Sequence, residues 1–339
     1  MKKTGFVFIF LILIELLFLS GCSSIKKSIN RSPIEIPIIT KKLVYEKITD
    51  IEVGEKPWGI AIDSANAHAF VVSNDENAVY VVDLEKKEVT DKIQVGQFPW
   101  NVAFDNRRKR IYVTNGDENT ISVVDLETKS ETLKIDVGSL PFDIAYCENT
   151  DEIFTTNSDS DTVTIIDAET LSVKKELEVG DYPYSVAVNN ITRSIFISNN
   201  WNGTMTTVNL ENYEKKELIV GENPSGLWVD ENRKLVYLAS TGRNLILQID
   251  EESNSIKKAI EASGEPLELI ADEKNGYVYS IHRSLNELSA FKITSGEKLA
   301  SMKVGEEPVQ IGLDSVHNII ITVNHEGNTI SLIRYHVEK

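Results

Sequence analysis

The sequence predicts an all-β fold, a seven-bladed β-propeller of four-stranded antiparallel blades with its last blade closed by an N-terminal strand. Three observations carry this. A proline recurs as Pro57, Pro99, Pro141, Pro183, Pro224, Pro266 and Pro308, at spacings of 42, 42, 42, 41, 42 and 42 residues. Self-similarity at such a period marks a repeat architecture. Each period holds short runs rich in Val, Ile, Tyr and Thr, bounded by Gly, Asn, Asp or Pro, which is a strand pattern and not a helical one. Four antiparallel strands repeated radially make a propeller blade. The seventh unit supplies three such runs, and a spare run precedes the first unit.

Taken in order, residues 1–21 read as a lipoprotein signal peptide. Lys2 and Lys3 give a basic start and Phe6–Phe18 an apolar core. Leu19-Ser20-Gly21-Cys22 resembles the bacterial lipoprotein processing box, which implies cleavage before Cys22 and lipidation of that residue. The alternative is an uncleaved anchor, although a full span needs about 20 apolar residues. Residues 22–42 form the lipidated Cys and a flexible stalk, in which Pro33 and Pro37 favour extended backbone. Lys26, Lys27, Arg31, Lys41 and Lys42 against Glu35 give the stalk a charge of +4. A basic tether suits an anionic membrane, and a plain solvated linker has the same composition.

Residues 43–339 form the propeller. Leu43–Val53 precedes Gly54 as the outermost strands of other units precede theirs. It is expected to pair onto the last blade, beside Thr329–Arg334, and hide a sheet edge. In the second unit the runs are Trp100–Asp105, Arg110–Thr114, Thr120–Asp125 and Glu131–Val137. Val-Gly-x-x-Pro links one unit to the next, with Gly expected to supply unusual backbone angles and Pro to preset φ before the innermost strand. Six residues after the prolines stand Asp63, Asp105, Cys147, Asn189, Asp230, Asp272 and Asp314, nearly all turn-starting side chains. Third runs end in Asp83, Asp125, Asp167, Asn209 and Asp250, for the same reason. Ala61, Ala103, Ala145 and Ala187 suit the crowding of innermost strands.

Tyr112-Val113-Thr114-Asn115 is the tetrapeptide of the YVTN-repeat β-propellers, with relatives at Phe154–Asn157, Phe196–Asn199 and Ile321–Asn324. Residues 43–339 resemble that family. The resemblance implies the seven-bladed fold, and no single activity, because such propellers serve several functions. Leu238-Ala239-Ser240 and Ser280-Ile281-His282 depart from the motif.

The chain carries −17 at neutral pH, and its first 42 residues hold a net +5, so the propeller itself stands at −22. That opposes binding to phosphate backbones, and no nucleic-acid partner is expected. Of the two cysteines, Cys22 is assigned to lipid and Cys147 to a buried apolar position, leaving no disulfide. No haem-attachment motif and no paired Cys site occur, and neither a cofactor nor a metal site is assigned.

Candidate ligand-binding residues lie on the face that carries the proline loops and the loops after second strands, here called the top face. The residue after each proline is Trp58, Trp100, Phe142, Tyr184, Ser225, Leu267 or Val309, aromatic in four consecutive blades. The next is Gly59, Asn101, Asp143, Ser185, Gly226, Glu268 or Gln310. The second loops add Asn74, Asn115, Asn157, Asn199, Trp201 and Asn324. Aromatic faces beside convergent polar groups suit a small polar ligand, peptide or sugar. The competing expectation is that the rings wedge between blades and the Asn residues cap turns. Acidic loops such as Asp75-Glu76, Asp117-Glu118 and Asp159-Ser160-Asp161 match no full calcium loop and read as solvated turns. His282, His325 and Glu268 could exchange a proton, but no nucleophile motif surrounds them and no catalytic residue is assigned.

The expected function is that of an extracytoplasmic, lipid-anchored, noncatalytic binding or scaffold propeller of the cell envelope. It would be monomeric, anchored to the membrane through its N-terminal lipid, with a protein, peptide or glycan ligand. The alternative is a propeller lactonase-like hydrolase using top-face carboxylates and a divalent metal ion.

Overall fold

The computed structural model describes residues 42–338. These residues fold into seven four-stranded antiparallel sheets, each following chain order from its innermost strand outwards except at the ring closure. The second blade comprises Pro99–Asp105, Arg110–Asn115, Thr120–Asp125 and Ser130–Asp136, each bound within one residue of the run the sequence marks. The expected signal peptide, Cys22 and stalk lie outside the described residues, apart from Lys42.

The apolar core is divided. Seven buried clusters lie between neighbouring blades, one at each junction. Between the first and second blades, for example, Phe70, Val72 and Val79 meet Val102, Ile111 and Val113. Each fully buried side chain of this kind contributes about 1.5–3 kcal/mol. Second and third strands, covered on both sides, are apolar almost throughout, whereas outermost strands such as Glu88–Gln94 are largely exposed.

The ring closes as the sequence predicts. The N-terminal strand Lys42–Glu52 pairs antiparallel with the last strand, Thr329–Glu338, placing Ile51 opposite Ile330 and Tyr45 opposite Tyr335. The fourth position of the seventh blade is therefore filled from the other end of the described chain. Tyr335 Oη donates to Asp272 Oδ2 at 2.7 Å, tying the closing blade to its neighbour.

Turn chemistry follows the sequence in most blades. Asp105 Oδ1 accepts from the backbone N–H of Arg107 and Arg108, and Asp314 Oδ1 from Val316 and His317. Cys147 cannot accept in this way; it is buried and its thiol donates to Asn190 Oδ1 at 2.8 Å.

The glycine expectation is corrected in part. Gly221 does adopt a left-handed φ of +101°, but Gly96 does not. A Cβ on Gly96 would run into the carboxamide of Asn115. Asn115 in turn donates to Thr120 Oγ1 at 3.0 Å and Ser122 Oγ at 2.8 Å. The motif Asn and the loop Gly are therefore one steric unit. The register also moves Asn74 out of the motif set: Pro57 pairs with Ser73, as Pro99 pairs with Asn115.

Deleting residues 42–52 should expose the edge of Thr329–Glu338 and uncover the cluster around Ile330 and Leu332. Size-exclusion chromatography should show oligomers or aggregate. A monomer with the parent's melting temperature would refute the closure role.

Candidate functional site

Each proline loop turns through a left-handed residue just before the proline. Lys56, Phe98, Leu140, Tyr182, Asn223, Glu265 and Glu307 all have φ between 49° and 55°. Side-chain oxygens of the preceding blade hold this turn: Asn119 Oδ1 accepts from Leu140 N–H at 3.0 Å and Asp161 Oδ1 from Tyr182 N–H at 2.8 Å. The proline carbonyl is held as well. Ser158, Asn200 and Thr241 donate to the carbonyls of Pro183, Pro224 and Pro266 at 2.8, 3.0 and 2.7 Å. Asn74 donates likewise to Pro99, and His325 Nδ1 lies 3.2 Å from the Pro57 carbonyl. These clasps run from blade to blade and escaped the sequence reading. Their signal was a polar residue one position after the motif site.

With both loops fixed, the predicted site residues fall into three layers. The first is an aromatic plug. Trp58 meets Trp100 at 4.8 Å between ring centroids, Trp100 meets Phe142 at 4.8 Å, and Phe142 meets Tyr184 at 4.5 Å. His325 adds an edge contact to Trp58 at 5.1 Å. Trp58 and Tyr184 also pack on the cluster containing Leu267 and Val309. The rings therefore join the apolar residues of blades six and seven rather than forming an open arc. Ser225 is buried and shares a 2.7 Å hydrogen bond with Thr241.

The second layer is polar. Near the start of each innermost strand the register with the second strand shifts, and in blades two, three and seven the N–H after the third residue is met by that residue's own side chain. Asn101 Oδ1 accepts from Val102 N–H, Asp143 Oδ1 from Ile144 and Gln310 Oε1 from Ile311, at 2.8–2.9 Å. Asp143 is the hub. Asn101 Nδ2 donates to it at 2.6 Å, and Ser185 Oγ and Val186 N–H at 2.9 Å. Glu268, 8% exposed, leans over Gly226, where any Cβ would collide with its carboxylate. Burial raises Glu268 well above the ordinary carboxyl range, and the nearby charge of Asp143 adds to this. Asp143 is raised too, because desolvation outweighs its hydrogen bonds.

The third layer is the outer rim. Trp201 is 73% exposed and stacks flat on Tyr182, with centroids 4.5 Å apart and planes within 6°. Phe98 and Leu140, half-buried, occupy the equivalent of Tyr182 in blades two and three. The sequence reading missed all three residues before the proline. Their signal was apolar character at a loop position filled by Lys, Asn or Glu in the other blades.

The remaining candidates are structural. Asn115, Asn157, Asn199 and Asn324 are buried and donate to Thr or Ser hydroxyls of the third strand. Glu76 pairs with Lys92, and Glu118 with Lys134. His282 is buried, and desolvation lowers its pKa to about 4. Among the described residues, no group of three or more His, Cys, Asp or Glu side chains is placed to hold a metal ion.

Fold and site together define a closed seven-bladed propeller with a plugged channel mouth and an aromatic rim on one face. Residues 103–279, just over half of the chain, match the family model described as YNCE-like beta-propeller, and the protein belongs to that family. A solved structure titled Kuenenia stuttgartiensis Hydrazine Synthase is similar, with a TM-score of 0.76 and 16% identity, over 82% of this chain and 95% of that one. At that identity the likeness is one of fold. No curated protein matches the sequence.

Two outcomes follow for the inner layers. Phe142→Ala removes a buried ring that touches three others and should cost about 3–5 kcal/mol, read from denaturant unfolding. Glu268 binds a proton more tightly when folded than when unfolded, so stability falls as pH climbs above the ordinary carboxyl range. Glu268→Gln should therefore melt above the parent near neutral pH and match it at about pH 4. A variant melting lower at every pH would show that the carboxylate has a favourable partner.

Proposed function

We propose that this protein is a noncatalytic binding propeller of the YVTN-repeat type, lipid-anchored through Cys22 on the extracytoplasmic side of the membrane. It acts as a monomer and receives a protein, peptide or glycan ligand on its top face, over blades two to four. Tyr112-Val113-Thr114-Asn115 supports the repeat type, and Leu19-Ser20-Gly21-Cys22 supports the anchor. A lipidated cysteine with more than one acyl chain anchors stably, whereas a single chain does not.

One observation carries the binding reading: the indole of Trp201 is stacked on one side and open on the other. An open indole face offers apolar area and ring geometry to a partner at low entropic cost. Phe98 and Leu140 extend apolar character to neighbouring blades, while the plug residues Trp58, Trp100, Phe142 and Tyr184 support the platform from within.

A hydrolase is the second reading, favoured by Asp143 and Glu268, two carboxyls with raised proton affinity in the polar layer. Such a pair can serve as proton donor and acceptor. In this structure it lies beneath the plug, which favours the rim as the working surface.

Trp201→Ala should melt within a degree or two of the parent, because an exposed ring contributes little to the core. It should also lose ligand in a glycan, peptide and small-molecule binding screen. Retained binding would move the site away from the rim. Labelling with a fatty-acid analogue should mark the parent and spare Cys22→Ala; label persisting in the variant would remove the anchor.

A further inference from the structure

The rim around Trp201 is uniformly acidic. Its loops, residues 158–161, 180–182 and 200–203, contain Asp159, Asp161 and Asp181 and no Lys or Arg. All three carboxylates are exposed. The backbone N–H of Trp201 donates to the backbone carbonyl of Asp181 at 3.3 Å, which joins the two loops. Asp159 acts electrostatically on Tyr182, the ring beneath Trp201. Asp161 is engaged by Tyr182 N–H.

Elsewhere on the same face some carboxylates carry cations and others, Asp75, Asp117 and Glu306, form no ion pair among the described residues; blades three and four differ in setting such carboxylates beside an exposed indole. Glu76 pairs with Lys92, Glu118 with Lys134, Glu307 with Arg283 and Glu326 with Lys56. Among the described residues, Asp159 and Asp181 form no ion pair. The exposed indole thus shares its rim with two carboxylates that form no ion pair.

We propose that the ligand at this rim is an arginine-bearing polypeptide segment of a partner protein, whose guanidinium stacks on the free face of Trp201 and pairs with Asp181 and Asp159. This rests on the binding reading above and specifies its ligand. Guanidinium is planar, weakly hydrated and always charged. It can lie on an indole while its edge N–H groups meet a carboxylate. Lysine offers a point charge without the plane. A neutral sugar would stack on the indole and donate hydroxyls to the carboxylates, but it would bring no charge to balance theirs. The acidity of the whole propeller would speed encounter with a cationic segment and make it salt-sensitive.

The test uses the full chain with synthetic peptides of alternating Gly and Arg, Gly and Lys, or Gly and Glu, plus a neutral chitin oligomer. Tryptophan fluorescence and calorimetry read binding at low and physiological salt. The Arg peptide should bind tighter than the Lys peptide, and the Glu peptide should not bind. Trp201→Ala should weaken the Arg peptide on the order of five- to thirtyfold, with Trp201→Phe recovering part of the loss. Asp181→Asn and Asp159→Asn should each weaken it severalfold. Glu306→Gln, on the rim of the seventh blade, should leave it unchanged.

Equal binding of the Arg peptide by parent and Trp201→Ala would reduce the effect to bulk charge and overturn the proposal. Binding of the chitin oligomer through Trp201, without the Arg peptide, would overturn it and leave the binding reading standing. No Trp201-dependent binding of any probe would overturn both. Melting curves of the variants confirm that each is folded.

Discussion

The structure depends on one recurring interaction, the hold that each blade takes on the proline loop of the next. Ser158, Asn200 and Thr241 reach across to the carbonyls of Pro183, Pro224 and Pro266. Two residues earlier along the chain, Thr114, Thr156 and Ser198 do the same for the carbonyls of Phe142, Tyr184 and Ser225, at 3.0, 3.4 and 2.6 Å. Two successive carbonyls held by the neighbour fix the backbone between them, and with it the direction in which the intervening side chain leaves the strand. That side chain is the residue after proline, and it points into the channel mouth. The plug is therefore built by hydrogen bonds at its edge as much as by contacts between its rings. The clasp is missing from blade six, where Arg283 pairs with Glu307 instead, and from blade two. Gly116 stands at the clasp position of blade two, and a Cβ there would lie 2.6 Å from Trp100 Nε1. The Trp100 indole displaces the clasp.

The blade count, the strand bounds and the closure were legible because they are properties of a repeat. A proline every 42 residues constrains the whole ring, and the seventh unit's three runs demand a fourth strand from elsewhere. The site was legible only by position. The residues after proline could be named, but whether Trp58 and Tyr184 faced solvent, a neighbouring blade or each other depends on how seven strands converge on an axis. That convergence is a property of the closed ring and is absent from any one repeat. Trp201 was found because a loop tryptophan is conspicuous. Tyr182, its stacking partner, was passed over, because a residue before proline reads as loop until its neighbour is known.

The glycines show how the same motif letter can answer two physical demands. In blade five Ser240, standing at the motif position, bonds the carbonyl of Glu222 at 3.3 Å, and Gly221 turns through a left-handed angle. In blade two Asn115 fills the space instead, and Gly96 is needed because no Cβ fits against its carboxamide. The other blades divide the same way. Gly54 and Gly264, paired with Ser73 and His282, are left-handed, while Gly138, Gly180 and Gly305, paired with Asn157, Asn199 and Asn324, are not. A sequence reader sees an invariant glycine and assigns it one role. Its partner on the second strand decides which role it has.

The ring's asymmetry also separates stability from binding. Inside, Asp143 and Glu268 are desolvated beneath a lid of aromatic rings, a placement that raises the proton affinity of both carboxyls. Asp143 is compensated by Asn101, Ser185 and two backbone N–H groups. Glu268 lies against a glycine, and the Leu269 backbone N–H offsets its burial only in part. Outside, the exposed carboxylates of blades three and four keep their solvation and incur no such penalty, so their charges remain available to a partner. A mutation in the plug acts on the first set through burial. A mutation at the rim acts on the second through contact, because the clasps keep the loop backbone in place whichever side chain the rim carries.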